Sequence, residues 1–421
     1  MSQQRVFITG MGFVSSIGND GDAVADSLIH LRHGIEQYPP FDKPDSPVKV
    51  LGTIKGFEVD SIDFEDWTYP ERYRIKREVL RGLAPHGVYA YCSMLQAIED
   101  AGLDQPDISN GLTGLYAASA GSPFLMRQNF DRMDRLGVMR CSPTGIVASI
   151  AGTLNFNLVA AFQIRGVSCG FSSACASSGH GIGYAMEDIR SGRQKRVFVV
   201  GAEDCNRYSI LPFAGMRALS LKTDPTQASQ PFDVDRSGFV GTGGACVMVL
   251  ESEDEVERRG VAPYAELAGW GQASDGHNVA MSHPDGIGLR DAMRLAINDA
   301  SLQVGDINHI NAHATSTSIG DISEVRAIKS VFGVDHDRPL VSSTKALTGH
   351  GLSLSSVLEA GFVALGMRRG FTPGSAHIRN LDPECEGVAI LRETIGTSPD
   401  YALCNSSGFG GSNVVIVLKK N

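Results

Sequence analysis

Apolar runs alternate along the chain between strand-length stretches and amphipathic helical ones, and this alternation predicts an α/β protein of stacked strand and helix layers. The strand-length runs are clearest at Arg5–Phe13 and at Arg196–Gly201, which reads RVFVVG. The helical ones are clearest at Val88–Gly102 (VYAYCSMLQAIEDAG), which stops at a glycine, and at Leu289–Ala300. Glycine is the second observation. The 48 glycines in 421 residues are about 11%, against a usual ~7%. Without a collagen period or Gly/Ser tracts, that excess implies tight turns and close backbone approaches. Size is the third. A chain of 421 residues suits two or three average domains and buries a core without staples.

The opening segment, MSQQRVFITG, reads as a strand entering a glycine turn, with no basic and apolar leader pattern. Cys141–Ile164 is the longest uncharged stretch. Ser142, Thr144, Thr153, Asn155 and Asn157 dilute it, and Ser142-Pro143 suits the start of a buried or interfacial helix rather than a membrane span. Glu251–Ala262 (ESEDEVERRGVA) reads as a charged helix between two β-rich stretches. It is the expected junction of two halves, residues 1–251 and 252–421. No internal repeat of 20–50 residues is visible.

A net charge of -10 disfavours general nucleic-acid or anionic-membrane binding but leaves room for local basic patches. Eight cysteines without a C-x-x-C suggest reduced thiols, so the expectation is a soluble cytoplasmic protein.

Four stretches carry chemistry. In Val167–Gly192 (VSCGFSSACASSGHGIGYAMEDIRSG), a short strand enters a run of small residues, then Cys175, then a helix. Small neighbours leave space at the sulfur, and a helix N-terminus would lower the thiol pKa, so Cys175 is a candidate nucleophile. A buried structural cysteine is the plainer alternative. Asn311–Glu324 (NAHATSTSIGDISE) places His313 after an apolar run and before Thr315 and Thr317. A single such histidine is more often structural than catalytic. Ser342–Glu359 (SSTKALTGHGLSLSSVLE) sets Lys345 and His350 five residues apart on a glycine-flanked loop ahead of Glu359. Taken singly, Lys345 could be a surface lysine and His350 a capping group. Cys404–Asn413 (CNSSGFGGSN) surrounds Phe409 with glycines that can aim N–H groups at a ligand, as an oxyanion hole does. It lacks the context of a P-loop. No His/Cys spacing suggests a metal site, and no cofactor is expected. Together, a thiol, two histidines, a lysine and a glycine loop suit carbon–carbon condensation with thioesters.

These stretches resemble, in order and spacing, the beta-ketoacyl-acyl carrier protein synthases of the thiolase superfamily. FSSACASS is similar to the family's cysteine elbow, HATSTSIGD to its first histidine motif, KALTGH to its lysine and second histidine, and NSSGFGGSN to its glycine loop. VFITGMGFVSSIG and FDVDRSGFV extend the likeness over nearly the whole chain. The resemblance implies a five-layered αβαβα thiolase-like sandwich of two pseudo-equivalent halves. It implies that Cys175 accepts an acyl chain and that His313 and His350 promote malonyl decarboxylation. It further implies that Lys345, with Glu359, holds the cluster electrostatically. The N–H groups of Cys175 and Phe409 would form the oxyanion hole, with Thr315 and Thr317 gripping a pantetheine arm. The implied partners are acyl carrier protein and a second copy of the chain.

Ala314, Ser318, Gly351–Ser356 (GLSLSS), Ser407 and Thr242 depart from the usual pattern. They keep open a specialised ketosynthase of polyene or polyketide synthesis. A thiolase using Cys404 as its second cysteine is another reading. A non-catalytic chain-length subunit is a third, which the presence of Cys175 opposes.

Overall fold

The structure, a computed structural model, describes residues 4–334 and 339–421. Its strands are β1 (Val6–Val14), β2 (Ile35–Gln37), β3 (Val50–Gly52), β4 (Thr113–Ala118), β5 (Ser168–Phe171), β6 (Arg196–Glu203), β7 (Gly244–Ser252), β8 (Ala265–Ser274), β9 (His309–Asn311), β10 (Leu340–Ser342), β11 (Ala389–Ile390), β12 (Tyr401–Gly408) and β13 (Ser412–Lys419). β2 and β3 pair by themselves. The others join in the order β11-β10-β9-β12-β13-β8-β1-β7-β6-β4-β5.

That order contains one pattern twice. β1 pairs antiparallel with β7, β7 antiparallel with β6, and then β6, β4 and β5 run parallel. Likewise β8 pairs antiparallel with β13, β13 antiparallel with β12, and then β12, β9 and β10 run parallel. The two halves meet where β1 pairs with β8 over only Val6–Ile8.

Strand alternation explains the layers. On β7, Cys246, Met248 and Leu250 enter an inner apolar cluster, whereas Ala245, Val247 and Val249 enter an outer one. On β13, Val414, Ile416 and Leu418 face the same inner cluster, and Val415 and Val417 face a third. The inner cluster is filled by the helices Ser177–Arg190 and Ser355–Arg369. Pro85–Ala101 and Thr153–Phe162 cover the outer face of the first half, and Ile287–Asp299 and Gly320–Phe332 cover that of the second. The protein is therefore a five-layered αβαβα sandwich.

One local expectation differs from the structure. The uncharged stretch is not one helix started by Ser142-Pro143. It is two, Gly145–Ser149 and Thr153–Phe162, and the first begins after Thr144 without a side-chain cap. Its apolar groups are partly uncovered: Ile146, Val147 and Phe156 are exposed. A basic run spans residues 71–81. Arg72, Arg74 and Lys76 alternate outward with buried Tyr73 and Ile75, and only Arg77–Leu80 forms a helical turn.

Candidate active site

The site collects at the C-terminal ends of parallel strands from both halves, where an open α/β sheet leaves loops free to converge. Cys175 follows β5, His313 follows β9, Lys345 and His350 follow β10, and Phe409 follows β12. A cavity of about 440 Å³ is lined by Cys175, His313, His350, Thr315, Thr317 and Phe409, among others.

Cys175 stands on a sharp turn. Ala174 before it has φ +50°, a left-handed backbone that a small residue tolerates at a cost. The Ser177–Arg190 helix starts two residues later, and Ser177 ties the turn by accepting from the Ser173 N–H at 2.8 Å. The helix N-terminus was expected to lower the thiol pKa, and this does not hold. Burial is the largest influence and pushes the Cys175 thiol up to about 12, with the Lys345 charge opposing. At neutral pH Cys175 is a thiol that needs a base.

An imidazole lies within hydrogen-bond reach of that thiol. His350 Nε2 lies 3.0 Å from Cys175 Sγ, and Nδ1 lies 3.0 Å from the Ser355 hydroxyl. Gly349, with φ +78°, lets the chain turn into His350, whose N–H donates to the Val240 carbonyl at 2.7 Å. Phe239 and His313 each meet the ring edge-on at 5.3 Å.

His313 is held through its backbone. Its N–H and that of Ala314 donate to the two carboxylate oxygens of Glu324, at 3.0 and 2.7 Å, and Asn405 donates to Glu324 at 2.9 Å. Its Nδ1 is buried with no hydrogen-bond partner among the described residues. Burial first, and the Lys345 charge second, hold both imidazoles well below the usual histidine range, so both are neutral. The ligand atoms of Cys175, His313 and His350 lie within 4.8 Å of one another.

Lys345 sits behind this cluster, 1% exposed, with its ammonium on the Glu359 carboxylate. Thr315 and Thr317 hydroxyls lie 3.1 Å apart on the cavity wall. The glycine loop presses on the elbow: a Cβ at Gly408 would stand 2.6 Å from the Ser173 carbonyl and 3.1 Å from the Cys175 nitrogen. Asn413 braces that loop, accepting from Ser407 and donating to Asp275 and the Gly411 carbonyl.

All eight residues singled out in the sequence thus fall at or directly behind one cavity. Cys404, the second cysteine of a thiolase reading, does not. It is buried in β12 facing the inner apolar cluster, away from the cavity wall. Sequence reasoning missed Glu324, Asn405, Asn413, Ser355 and the buried cavity residue Glu203, which accepts from Ser353 and from the Ala120 N–H at 3.1 Å. Position supplied one usable signal: Glu203 ends a strongly apolar strand, where a carboxylate is costly unless it has a use.

A neutral thiol beside a neutral imidazole, with further donors converging, is a site for acyl transfer through a cysteine. Family comparison agrees. Residues 3–255 match the model of the beta-ketoacyl synthase N-terminal domain, and residues 264–379 match that of the C-terminal domain. The chain belongs to the beta-ketoacyl synthase family. Over 424 residues it is 38% identical to 3-oxoacyl-[acyl-carrier-protein] synthase 1 of Haemophilus influenzae, covering 99% of both chains. Over 422 residues it is 36% identical to the enzyme of that name from Escherichia coli K12, again covering 99% of both. Among solved structures it is similar to a beta-ketoacyl synthase from Burkholderia phymatum, with a TM-score of 0.90 at 29% identity, covering 99% of this chain and 100% of that one.

Proposed function

We propose that the protein catalyses the decarboxylative Claisen condensation of fatty-acid chain elongation, joining a Cys175-bound acyl group to malonyl-acyl carrier protein. In the first half-reaction, His350 Nε2 takes the thiol proton as Sγ attacks the carrier-bound thioester, and returns it to the departing pantetheine sulfur. The oxyanion between these steps is held by the N–H groups of Cys175 and Phe409. In the second half-reaction, the malonyl thioester oxygen accepts from His313 and His350. The bond to the carboxylate breaks, carbon dioxide leaves, and its electron pair forms the enolate. The enolate carbon attacks the acyl-Cys175 carbonyl, the Cys175 C–S bond breaks to release the 3-ketoacyl product, and the freed thiolate takes up a proton from solvent to restore the thiol. Lys345, charge-balanced by Glu359, is a fixed positive charge that adds to burial in keeping both imidazoles neutral. Thr315 and Thr317 hold the pantetheine arm.

The observation that carries this reading is the 3.0 Å contact of Cys175 Sγ with His350 Nε2, in a cavity shared with His313. Its test is intact-protein mass after incubation with a panel of acyl-carrier proteins of different chain length. The expected result is one acyl adduct, lost in Cys175→Ala and kept in Cys404→Ala, followed by carbon dioxide release with malonyl-carrier protein. An adduct that survives Cys175→Ala sinks the proposal. The panel also separates housekeeping elongation from a specialised ketosynthase, which the Gly351–Ser356 and Ser407 departures keep open.

Acyl carrier proteins are acidic, and two basic surfaces suit one. Arg72, Arg74, Lys76 and Arg81 are exposed on the first. Arg127, Arg132 and Arg135 lie on the Pro123–Leu136 helix, whose Phe124 stacks at 5.7 Å on Tyr208, just ahead of the cavity residues Phe213 and Met216. The working unit is a homodimer. β5 ends the sheet, its Ser168–Gly170 are exposed, and Phe130, Met139, Ile146, Val147 and Phe156 add an uncovered apolar face. Within each chain, residues 1–251 carry the nucleophile and 252–421 carry the histidines, the lysine and the glycine loop. No helix among the described residues is long and apolar enough to cross a membrane.

A further inference from the structure

Three serines follow His350 within six residues, and each hydroxyl holds a different part of the site. Ser353 donates to Glu203. Ser356 donates to the Cys175 carbonyl at 3.2 Å and accepts from the Ser406 hydroxyl at 2.7 Å. Ser355 lies 3.0 Å from His350 Nδ1, and it is the partner that nitrogen has among the described residues.

Ser355 opens the Ser355–Arg369 helix and is 2% exposed. A hydroxyl at a helix start ordinarily turns back to a free backbone N–H of the first turn. This helix has no side-chain cap, and the hydroxyl is turned onto the imidazole instead. The other two groups on the ring, Phe239 and His313, meet it edge-on at 5.3 Å and fix its plane without engaging Nδ1.

A hydroxyl is both donor and acceptor. It can accept from an Nδ1–H while Nε2 takes the proton of the Cys175 thiol. It can equally donate to a bare Nδ1 while an Nε2–H donates to a thioester oxygen. A backbone N–H in that place could support only the second state, and a carbonyl only the first. We propose that Ser355 is a positioning residue for His350, its hydroxyl satisfying Nδ1 in either neutral tautomer so that one imidazole serves both half-reactions. This rests on the role given to His350 above. Ser355 itself touches neither substrate nor sulfur.

The test compares the full-length chain with Ser355→Ala and Ser355→Thr. Three quantities are read: ring ¹⁵N shifts of His350 in histidine-labelled protein, kcat and KM for malonyl decarboxylation, and Tm. Loss of the hydroxyl should alter the His350 ring shifts and lower kcat about 10-fold, the equivalent of ~1.4 kcal/mol. KM and Tm should be little changed, and Ser355→Thr should restore both the shifts and kcat. Unchanged ring shifts in Ser355→Ala would overturn the proposal. So would equal losses in Ala and Thr variants accompanied by a fall in Tm, which would mean that Ser355 only packs. Should Ser355→Ala not fold, Ser355→Cys, with its weak donor, is read in the same way. If the unmodified protein released no carbon dioxide, the condensing reading would fail, while the ring shifts would still decide the role of Ser355.

Discussion

Replacing Glu203 by Gln should stabilise this protein at alkaline pH and leave it unchanged in acid. Glu203 ends β6, is 1% exposed and borders the cavity. Burial, the largest influence, raises its carboxyl from 4.5 to about 7, against the opposing effects of Ser353, His86 and the Ala120 N–H. At ~1.36 kcal/mol for each tenfold change in proton affinity, ionising it in the folded state costs about 3 kcal/mol. The folded pKa lies above the unfolded one, so the folded state retains this proton more tightly. The associated stability is fully present below pH 4.5 and is lost as pH rises to about 7. Glutamine keeps the acceptor for Ser353 and Ala120 but cannot ionise. Relative to the parent, Glu203→Gln should gain about 3 kcal/mol at pH 8 and nothing near pH 4.5, as read by urea unfolding at both values. The Glu203 charge also raises the Cys175 thiol, so iodoacetamide should alkylate Cys175 faster in the variant at pH 8. A variant equally destabilised at both pH values would refute the reasoning, because Glu203 would then be needed as a charge.

Three further outcomes are expected. His313→Ala and His350→Ala should each cut malonyl decarboxylation about 10²-fold, the scale of losing one preorganised donor, as measured by carbon dioxide release. Arg74→Glu with Arg81→Glu should raise KM for malonyl-carrier protein at low salt but not for a short pantetheine thioester; Arg77 is a poorer probe because Glu65 already pairs with it. Phe156→Arg with Ile146→Arg should convert a dimer into a monomer by light scattering at micromolar concentration, and a parent that is fully active as a monomer would refute the assembly.

The catalytic groups were legible because each stands in a small-residue or glycine loop after an apolar run, a pattern that survives in one dimension. Their supports were not. Glu324 reaches His313 from a helix and is itself held by Asn405, 81 residues further on. Ser356 meets Cys175 across 181 residues. The thiol was misread for the same reason. A helix start is visible in the sequence, whereas the burial that outweighs it is made by both halves together. The 141–164 stretch misled in another way. Its lack of charge suggested one helix, but the helix is interrupted between Ser149 and Thr153 and leaves apolar side chains outward. What they cover is a property of the assembly and not of local propensity.

The repeated strand order explains why the chemistry sits between the halves. In the first half, the loop after β5 bears Cys175; in the second, the corresponding loop after β10 bears Lys345 and His350. β6 ends in Glu203, and β12, its counterpart, ends at Gly408 beside Phe409. Each half thus presents strand ends of the same kind, and the difference in side chains divides the labour: a thiol and a carboxyl from one, donors and a fixed cation from the other. Burial at the seam then acts on all of them at once. It raises Cys175 and lowers His313 and His350, so at neutral pH the thiol is protonated and both imidazoles are uncharged. The same desolvation that makes the neutral donors strong disfavours a resting thiolate–imidazolium pair. In the proposed reaction, the proton between Sγ and Nε2 moves as a thioester arrives to accept the sulfur.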